Sequence, residues 1–210
     1  MPVEAQGDAL EIDVVVVGDL LRGRADHLDL AARDDVGELA VERGQLVGRG
    51  CAAQPQDEAL SPIFPGAVAS INTHDMPTFA AFWEGLDIKD REDLGILDAK
   101  TAAAERTRRR EMIRAVEAFL KERGFLKDPR DPLAVLRACL NYLSTGPGQV
   151  ALANVEDFWL EKNPQNVPGT WKERPNWKRR AKRPLEEFTK MPAVLEALRE
   201  MDRIAKQGRA

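Results

Sequence analysis

The sequence predicts an α/β fold with parallel strands over residues 61–210, and three observations indicate this class. Short runs of small and β-branched residues alternate with longer segments in which apolar residues recur at helical spacing. Proline and glycine separate the two kinds of segment. Strands that alternate with helices are typical of parallel sheets, because a helix then connects the end of one strand to the start of the next.

Two segments have the composition of short buried strands. The first is the run at residues 68–71 within "GAVASINTHD", which lies between Pro65-Gly66 and a polar stretch. The second is "QVALANVEDFW", residues 149–159. Two strand–helix units bury too little apolar surface for a complete domain, so we expect them to be the last two units of a larger fold.

Helices are predicted between and after these strands. Asp75 is the expected N-cap of the first helix, because Pro77 follows it at a position typical of a first helical turn. Periodic apolar residues predict further helices over 102–123 and from Pro132 to the "TGPG" motif. A polar loop at 161–180 separates the second strand from two closing helical segments.

The composition of the chain changes near residue 60. Residues 1–60 contain 13 acidic and 5 basic side chains and lack Phe, Trp, Tyr, Lys, Ser, Thr and Asn. Aromatic rings supply much of the buried area of a core, and Ser, Thr and Asn supply helix caps and turns. We therefore divide the chain into an atypical acidic segment, 1–60, which is irregular, disordered or non-native, and a domain at 61–210.

Two origins of the acidic segment are open. It is a loosely structured extension, or, as we favour, a GC-rich stretch that is translated in the wrong frame or from the wrong strand. Under the second hypothesis, another frame of the coding DNA encodes a longer sensible protein that runs into Ser61. The hypothesis fails if no such frame exists.

Cysteine usage and hydropathy predict a soluble cytoplasmic protein. The two cysteines, Cys51 and Cys139, provide no disulfide framework. No basic and then apolar leader opens the sequence, and the longest strongly apolar run, at 14–17, is far too short to span a bilayer. We expect no contact with a membrane.

Several chemistries lack the residues that they require. The chain has two histidines, His27 and His74, and no cluster of His, Cys and carboxylates at ligand spacing, so we expect neither a metal nor another cofactor. No nucleophile elbow is present. The "TGPGQ" stretch fits neither a phosphate-binding loop nor a dinucleotide fingerprint.

Residues 171–183, "WKERPNWKRRAKR", hold seven basic side chains and two tryptophans. The segment is a candidate nucleic-acid patch. Because Glu173 interrupts it and acidic residues follow, we favour a solvated start of a helix instead. The interleaved Trp and Asn also suit a sugar, since an aromatic face packs against C–H groups while amides bond hydroxyls.

His74 and Asp75 follow the first predicted strand directly. If both residues are structural, Asp75 caps a helix and His74 is a histidine at the end of a strand whose hydrogen bonds are made within the protein. However, the carboxyl ends of parallel strands are where α/β barrels place their chemistry. An aspartate there can cap a helix and face a substrate at once.

Three stretches together resemble the C-terminal third of the 4-α-glucanotransferases, the amylomaltase or disproportionating-enzyme family. They are "SINTHDMPTFAAFW" (70–83), "NVEDFWLEKNPQNVPGT" (154–170) and "ERPNWKRR" (173–180). The resemblance covers about 67–205 and leaves out 1–60. It implies the last units of a (β/α)₈ barrel, and an enzyme that transfers an α-1,4-glucan segment to the 4-hydroxyl of an acceptor sugar with retention.

The resemblance also implies roles for individual residues. Asp75, in the THD motif, is the expected stabiliser of the transition state, and the adjacent His74 is expected to bond the same sugar ring. The expected substrate-binding residues are His74, Asp157, Asn166, Pro168 and Gly169. The partners implied are α-1,4-glucans and maltooligosaccharides, with no nucleic acid.

The nucleophile and the acid/base of such an enzyme are expected to lie upstream of Asp75. In the family, three strand–helix units, roughly 90 residues, separate the nucleophile from this aspartate. Asp26 in "RADH" and Asp34 or Asp35 in "ARDDVG" superficially match the two sites, but their spacing leaves no room for those units. We therefore expect a C-terminal fragment that is inactive alone and is completed by an N-terminal fragment. The alternative is a non-catalytic α-glucan-binding accessory protein.

Overall fold

The computed structural model describes residues 14–16, 68–146 and 150–208. Three strands form one parallel sheet in the order β1-β2-β3. They are β1 (Val14–Val16), β2 (Val68–Ser70) and β3 (Val150–Leu152). In the register of the sheet, Val15 lies opposite Ala69, and Ala69 lies opposite Ala151. The α/β class and the first predicted strand of the 61–210 region are confirmed. The second predicted strand is confirmed only at Val150–Leu152, because Val155–Trp159 forms a 3₁₀ helix capped by Asn154.

Strand β1 lies within the segment that was expected to be irregular. Val14 pairs with Val68 at the first position of β2. The composition of 1–60 argues against an aromatic core, but a run of valines has a high preference for a pleated strand. The structure therefore departs from the expectation at these three positions, whereas the rest of 1–60 lies outside the described residues.

Six α-helices and a 3₁₀ helix accompany the sheet within the described ranges. They are α1 (Phe79–Glu84), α2 (Leu86–Asp93), α3 (Ala99–Glu122), α4 (Pro132–Ser144), the 3₁₀ helix (Val155–Trp159), α5 (Leu185–Phe188) and α6 (Pro192–Gly208). Helices α1 to α4 connect β2 to β3, as the alternation of patterns predicts. Helix α3 begins three residues earlier than expected because Asp98 caps it, accepting a bond from the N–H of Thr101.

The prediction that Asp75 caps the first helix is wrong. That helix begins at Phe79, and its N-cap is Thr78, whose hydroxyl accepts a 3.3 Å bond from the N–H of Ala81. Asp75 lies in the preceding turn, which closes with a bond from the N–H of Met76 to the carbonyl of Thr73. A cap must stand directly before the first helical residue to reach these N–H groups. The carboxylate of Asp75 is therefore available for another partner.

The core lies between the sheet and helices α1, α3, α4 and α6. The periodic apolar residues from which α3 and α4 were predicted include the most deeply packed positions of these helices, among them Val116, Leu120 and Leu136. The buried members are Ala69, Ile71, Phe79, Phe82, Val116, Phe119, Leu120, Leu126, Val135, Leu136, Ala138, Cys139, Leu140, Leu143, Phe158, Val194, Ala197 and Met201. Cys139 is a free thiol, and burial raises its pKa to about 12, so it acts as a small apolar residue.

Ion pairs connect α2 and α3 outside the hydrophobic core. Asp87 accepts two bonds from the guanidinium of Arg109, at 2.9 and 2.8 Å, and both side chains are largely buried. Arg91 pairs with Glu105 in the same interface. Within the described ranges, no helix combines the length and the apolar character needed to cross a membrane.

Candidate functional site

The segments that follow β2 and β3 meet at one edge of the sheet. Because the two strands are parallel neighbours, their carboxyl ends point the same way. The turn with His74 and Asp75 follows β2, and the 3₁₀ helix and the polar loop at 161–180 follow β3. The motifs that were singled out in the sequence therefore converge here.

Asp75 contacts residues of both segments at this edge of the sheet. Its Oδ1 accepts a 2.7 Å hydrogen bond from Nδ2 of Asn166, and its Oδ2 lies 3.3 Å from Nε2 of His74. The side chains of His74 and Asp75 are 62% and 46% exposed. The carboxylate is thus oriented by two polar neighbours while part of it faces solvent, where it can accept bonds from a hydroxylated ligand.

Trp177 extends the site, because its indole ring lies against the ring of His74. The two ring centroids lie 5.2 Å apart, with the planes tilted by 52°. The backbone of Trp177 is left-handed, with φ at 58°, and its N–H donates a 2.9 Å bond to the carbonyl of Gln165. The sequence analysis noted that the tryptophans of segment 171–183 suit a sugar, but it did not include Trp177 among the expected site residues.

Asn176 holds the loop that carries Asn166. Its Oδ1 accepts a 3.0 Å bond from the N–H of Val167, and its Nδ2 donates to the carbonyl and the hydroxyl of Thr170 at 3.0 and 2.9 Å. Pro168 and Gly169, two of the expected substrate-binding residues, occupy the exposed turn between Val167 and Thr170. Gly169 has φ at 82°, which a residue without a Cβ adopts at no cost. The structure thus brings Asn166 to Asp75 and places Pro168 and Gly169 at the tip of the turn.

Asp157 lies beneath the site and does not face its open surface. It is 2% exposed, and its Oδ2 and Oδ1 accept 2.8 Å bonds from Nδ2 of Asn72 and from the N–H of Phe79. These partners stand at the two ends of the segment that carries His74 and Asp75. The expected substrate contact therefore does not match the geometry, because both carboxylate oxygens are bonded inside the protein. Asp157 fixes the position of the segment instead.

Burial dominates the electrostatics of Asp157. Desolvation raises the pKa of its carboxyl to about 6, although the bonds from Phe79 and Asn72 act in the opposite direction. Nearby Glu161 is also fully buried, but its pKa is lowered. There, burial raises the pKa, and the bonds from the Asn163 N–H and from Lys182 outweigh it.

Ion pairs anchor the basic segment at 171–183. Glu156 binds the guanidinium of Arg179 through both oxygens, at 2.7 and 2.6 Å, and also accepts a 2.9 Å bond from Gln165. Three further basic residues of the segment have acidic partners: Arg174 with Asp90, Lys182 with Glu161 and Arg183 with Glu187. These positive charges serve the fold of the loop.

Among the described residues, no group of three or more His, Cys, Asp or Glu side chains could hold a metal ion.

The fold and the site together define an α/β protein with a half-exposed carboxylate at the carboxyl edge of a parallel sheet, near a histidine, an amide and an indole. A family model described as 4-α-glucanotransferase, glycoside hydrolase family 77, matches residues 52–186. The chain belongs to this family, which confirms the resemblance drawn from the three motifs. The match begins at residue 52, so the expectation that the resemblance leaves out all of 1–60 is wrong for the last nine residues of that segment.

Curated relatives and a solved structure agree with this assignment. The chain is 33% identical over 114 residues to 4-α-glucanotransferases of Mycobacterium bovis and Mycobacterium tuberculosis, and the alignment covers 53% of this chain. The same alignment spans 16% of the length of those relatives. The structure is similar to an amylomaltase from Corynebacterium glutamicum with a TM-score of 0.57 and 21% identity, over 70% of this chain and 22% of that one. This likeness supports the fold.

Proposed function

We propose that residues 61–210 are the C-terminal units of a (β/α)₈ barrel and carry the sugar-holding part of a 4-α-glucanotransferase active site. The observation that carries the proposal is the 2.7 Å bond between Asp75 and Asn166. It unites the THD and QNVPGT motifs at the carboxyl ends of two neighbouring strands. In barrels of this class, substrates bind at that edge.

Asp75 acts as the stabiliser of the transition state. A retaining transfer passes through a sugar with oxocarbenium character, and hydrogen bonds to the hydroxyls of that sugar strengthen as charge develops. A carboxylate that is held by Asn166 and His74 and still half-exposed can accept such bonds without first reorganising. The substrates are α-1,4-glucans, and the product is a glucan segment moved to the 4-hydroxyl of an acceptor.

The covalent step of a retaining transfer requires two carboxylates in addition to Asp75. Retention needs two carboxylates that flank the scissile bond, roughly 5–5.5 Å apart. Within the described part of the site, Asp75 is open to solvent, whereas Asp157 is buried and Glu156 is bound to Arg179. The weak nucleophile and acid/base matches Asp26, Asp34 and Asp35 lie outside the described residues. Because the spacing of these three aspartates does not fit the family, we propose that the 210 residues alone hold a sugar without cleaving it and that an N-terminal fragment supplies the two carboxylates.

Two measurements on the 210-residue chain test the proposal. Calorimetric titration with maltoheptaose should show binding that Asp75→Ala weakens at least about tenfold, since a carboxylate that bonds two hydroxyls is lost. Asp202→Ala, which removes an exposed aspartate paired with Lys206 on α6, should leave the affinity unchanged. Incubation with maltotriose should yield neither glucose nor longer oligosaccharides.

Equal affinities for the unchanged chain and Asp75→Ala would contradict the role of Asp75. Robust disproportionation of maltotriose by the chain alone would contradict the division of the catalytic groups. A non-catalytic glucan-binding protein is the alternative from the sequence, and membership of the transferase family does not favour it.

A further inference from the structure

Trp177 is a bulky residue in a backbone conformation that bulky residues rarely adopt. Its φ of 58° is left-handed, where a side chain with a Cβ is strained and glycine is not. The bond from its N–H to the carbonyl of Gln165 holds the residue in place. Backbone strain of this kind is concentrated at ligand-binding positions, where the surrounding structure enforces it.

The strained backbone presents a large aromatic surface to solvent. Trp177 is 61% exposed, and its indole contacts the ring of His74. His74 in turn lies 3.3 Å from the carboxylate of Asp75. A histidine therefore connects an open indole face to an open carboxylate, which is the combination of apolar platform and polar contacts that orients a small ligand.

A glucose unit has the matching chemistry. Its C–H groups give each face of the ring an apolar patch, and its hydroxyls project from the edge. An indole receives such a face, while a carboxylate and an imidazole bond the hydroxyls of a neighbouring unit. Because His74 contacts both Trp177 and Asp75, the indole and the carboxylate lie close enough together to suit adjacent units of one chain.

We propose that Trp177 is a sugar-stacking residue that receives the glucose unit next to the one held by Asp75. The inference rests on the proposed function, because it assumes that Asp75 holds an α-1,4-glucan. It assigns a second subsite, and it makes Trp177 a determinant of affinity for oligosaccharides longer than a single glucose unit.

The loop provides a matched control for this assignment. Trp171 lies six positions earlier, is 84% exposed, and its N–H donates to Glu173. Its ring therefore offers even more open aromatic surface than that of Trp177. If any exposed indole on this loop sufficed, the two tryptophans would contribute alike.

The test compares maltotriose and maltoheptaose binding by calorimetry for four variants of the 210-residue chain. Trp177→Gly should weaken binding about tenfold, and it keeps the backbone relaxed because glycine accepts a positive φ. Trp177→Phe should retain most of the affinity, since an aromatic face remains. Trp171→Ala should bind as the unchanged chain does. Asp75→Asn reports separately on the proposed function.

The outcomes separate the two claims. If Asp75→Asn weakens binding and Trp177→Gly behaves like Trp171→Ala, the stacking role is overturned and the proposed function stands. If Trp177→Gly weakens binding and Asp75→Asn does not, the stacking contact is supported and the role of Asp75 is overturned. A thermal unfolding midpoint for Trp177→Gly at or above that of the unchanged chain excludes loss of folding as the cause. Maltoheptaose should also change the tryptophan fluorescence, and Trp177→Phe should abolish that change.

Discussion

Asn166 donates a 2.7 Å hydrogen bond to Asp75, from a residue 91 positions further along the chain. Asn176 fixes the loop that carries Asn166, and Asp157 fixes the segment that carries Asp75. The half-exposed carboxylate is therefore positioned by the segments that follow both β2 and β3. A group oriented before the substrate arrives loses less entropy on binding.

Removal of the Asn166 amide should weaken sugar binding by releasing Asp75. We expect Asn166→Ala to reduce the affinity for maltoheptaose about threefold to tenfold, which corresponds to the loss of one hydrogen bond to a charged group. Asn166→Asp should reduce it further, because two carboxylates would then stand at the 2.7 Å contact. Calorimetry at neutral pH measures both effects.

Asn163→Ala is the control for the Asn166 variants. Asn163 is an amide on the same loop, and it bonds Glu161 rather than Asp75. Its replacement should leave the affinity for maltoheptaose within about twofold, because its bond contributes to the fold of the loop. An equal loss in Asn163→Ala and Asn166→Ala would mean that loop order, and not the contact to Asp75, controls binding.

The stability of the chain should report the titration of Asp157. Burial raises the pKa of its carboxyl from 3.8 to about 6, so the folded state binds more protons between these values. Its contribution is therefore fully present below about pH 4 and is lost as the pH rises through about 6. The free energy of unfolding of the unchanged chain minus that of Asp157→Asn should fall by about 3 kcal/mol between about pH 3 and about pH 7. Urea denaturation at several pH values measures it.

For Asp98→Asn, the difference in the free energy of unfolding should change with pH in the opposite direction. The bonds from the backbone and side chain of Thr101 lower the pKa of Asp98. Its stabilising contribution is therefore present above its unfolded pKa and is lost as the pH falls. The corresponding difference for Asp98 should rise with pH. A difference for Asp157 that is flat, or that rises as well, would contradict its burial as a desolvated carboxylate.

The pair of Arg179 with Glu156 should stabilise the loop much more than an exposed pair of the same type. Their side chains are 18% and 12% exposed, so Arg179→Ala leaves a largely buried charge without its partner. We expect a loss of about 2–4 kcal/mol in the free energy of unfolding. Arg203→Ala breaks a two-bond pair with Glu200 whose side chains are 54% and 41% exposed. That change should cost about 0.5 kcal/mol or less in urea denaturation. Equal losses would show that burial does not decide the contribution.

Local patterns were sufficient to predict most helices and strands from the sequence. The run at Val68–Ser70 has the small and β-branched residues of a buried strand, and α4 begins at Pro132 with an apolar face at helical spacing. The cap of α1 was misjudged because Asp75 and Thr78 both precede the helix and both favour caps. The turn that follows β2 decides between them, and that turn is closed by backbone bonds that no side-chain pattern displays.

Long-range contacts account for what the sequence could not supply. The motif resemblance singled out Asp75, His74 and Asn166, and the structure brings these three together. The burial of Asp157 depends on Asn72, 85 positions away, and the placement of Trp177 depends on His74. Neither relation leaves a periodic signal. A left-handed tryptophan is also unexpected from composition, because such positions usually hold glycine or asparagine.

A crystal structure of the chain with bound maltoheptaose would examine the roles of Asp75 and Trp177 together. We expect hydroxyls of one glucose unit within hydrogen-bond distance of the carboxylate of Asp75, and the ring of the adjacent unit stacked on Trp177. An oligosaccharide that occupies another surface, with the carboxylate of Asp75 still bonded only to Asn166 and His74, would contradict this expectation.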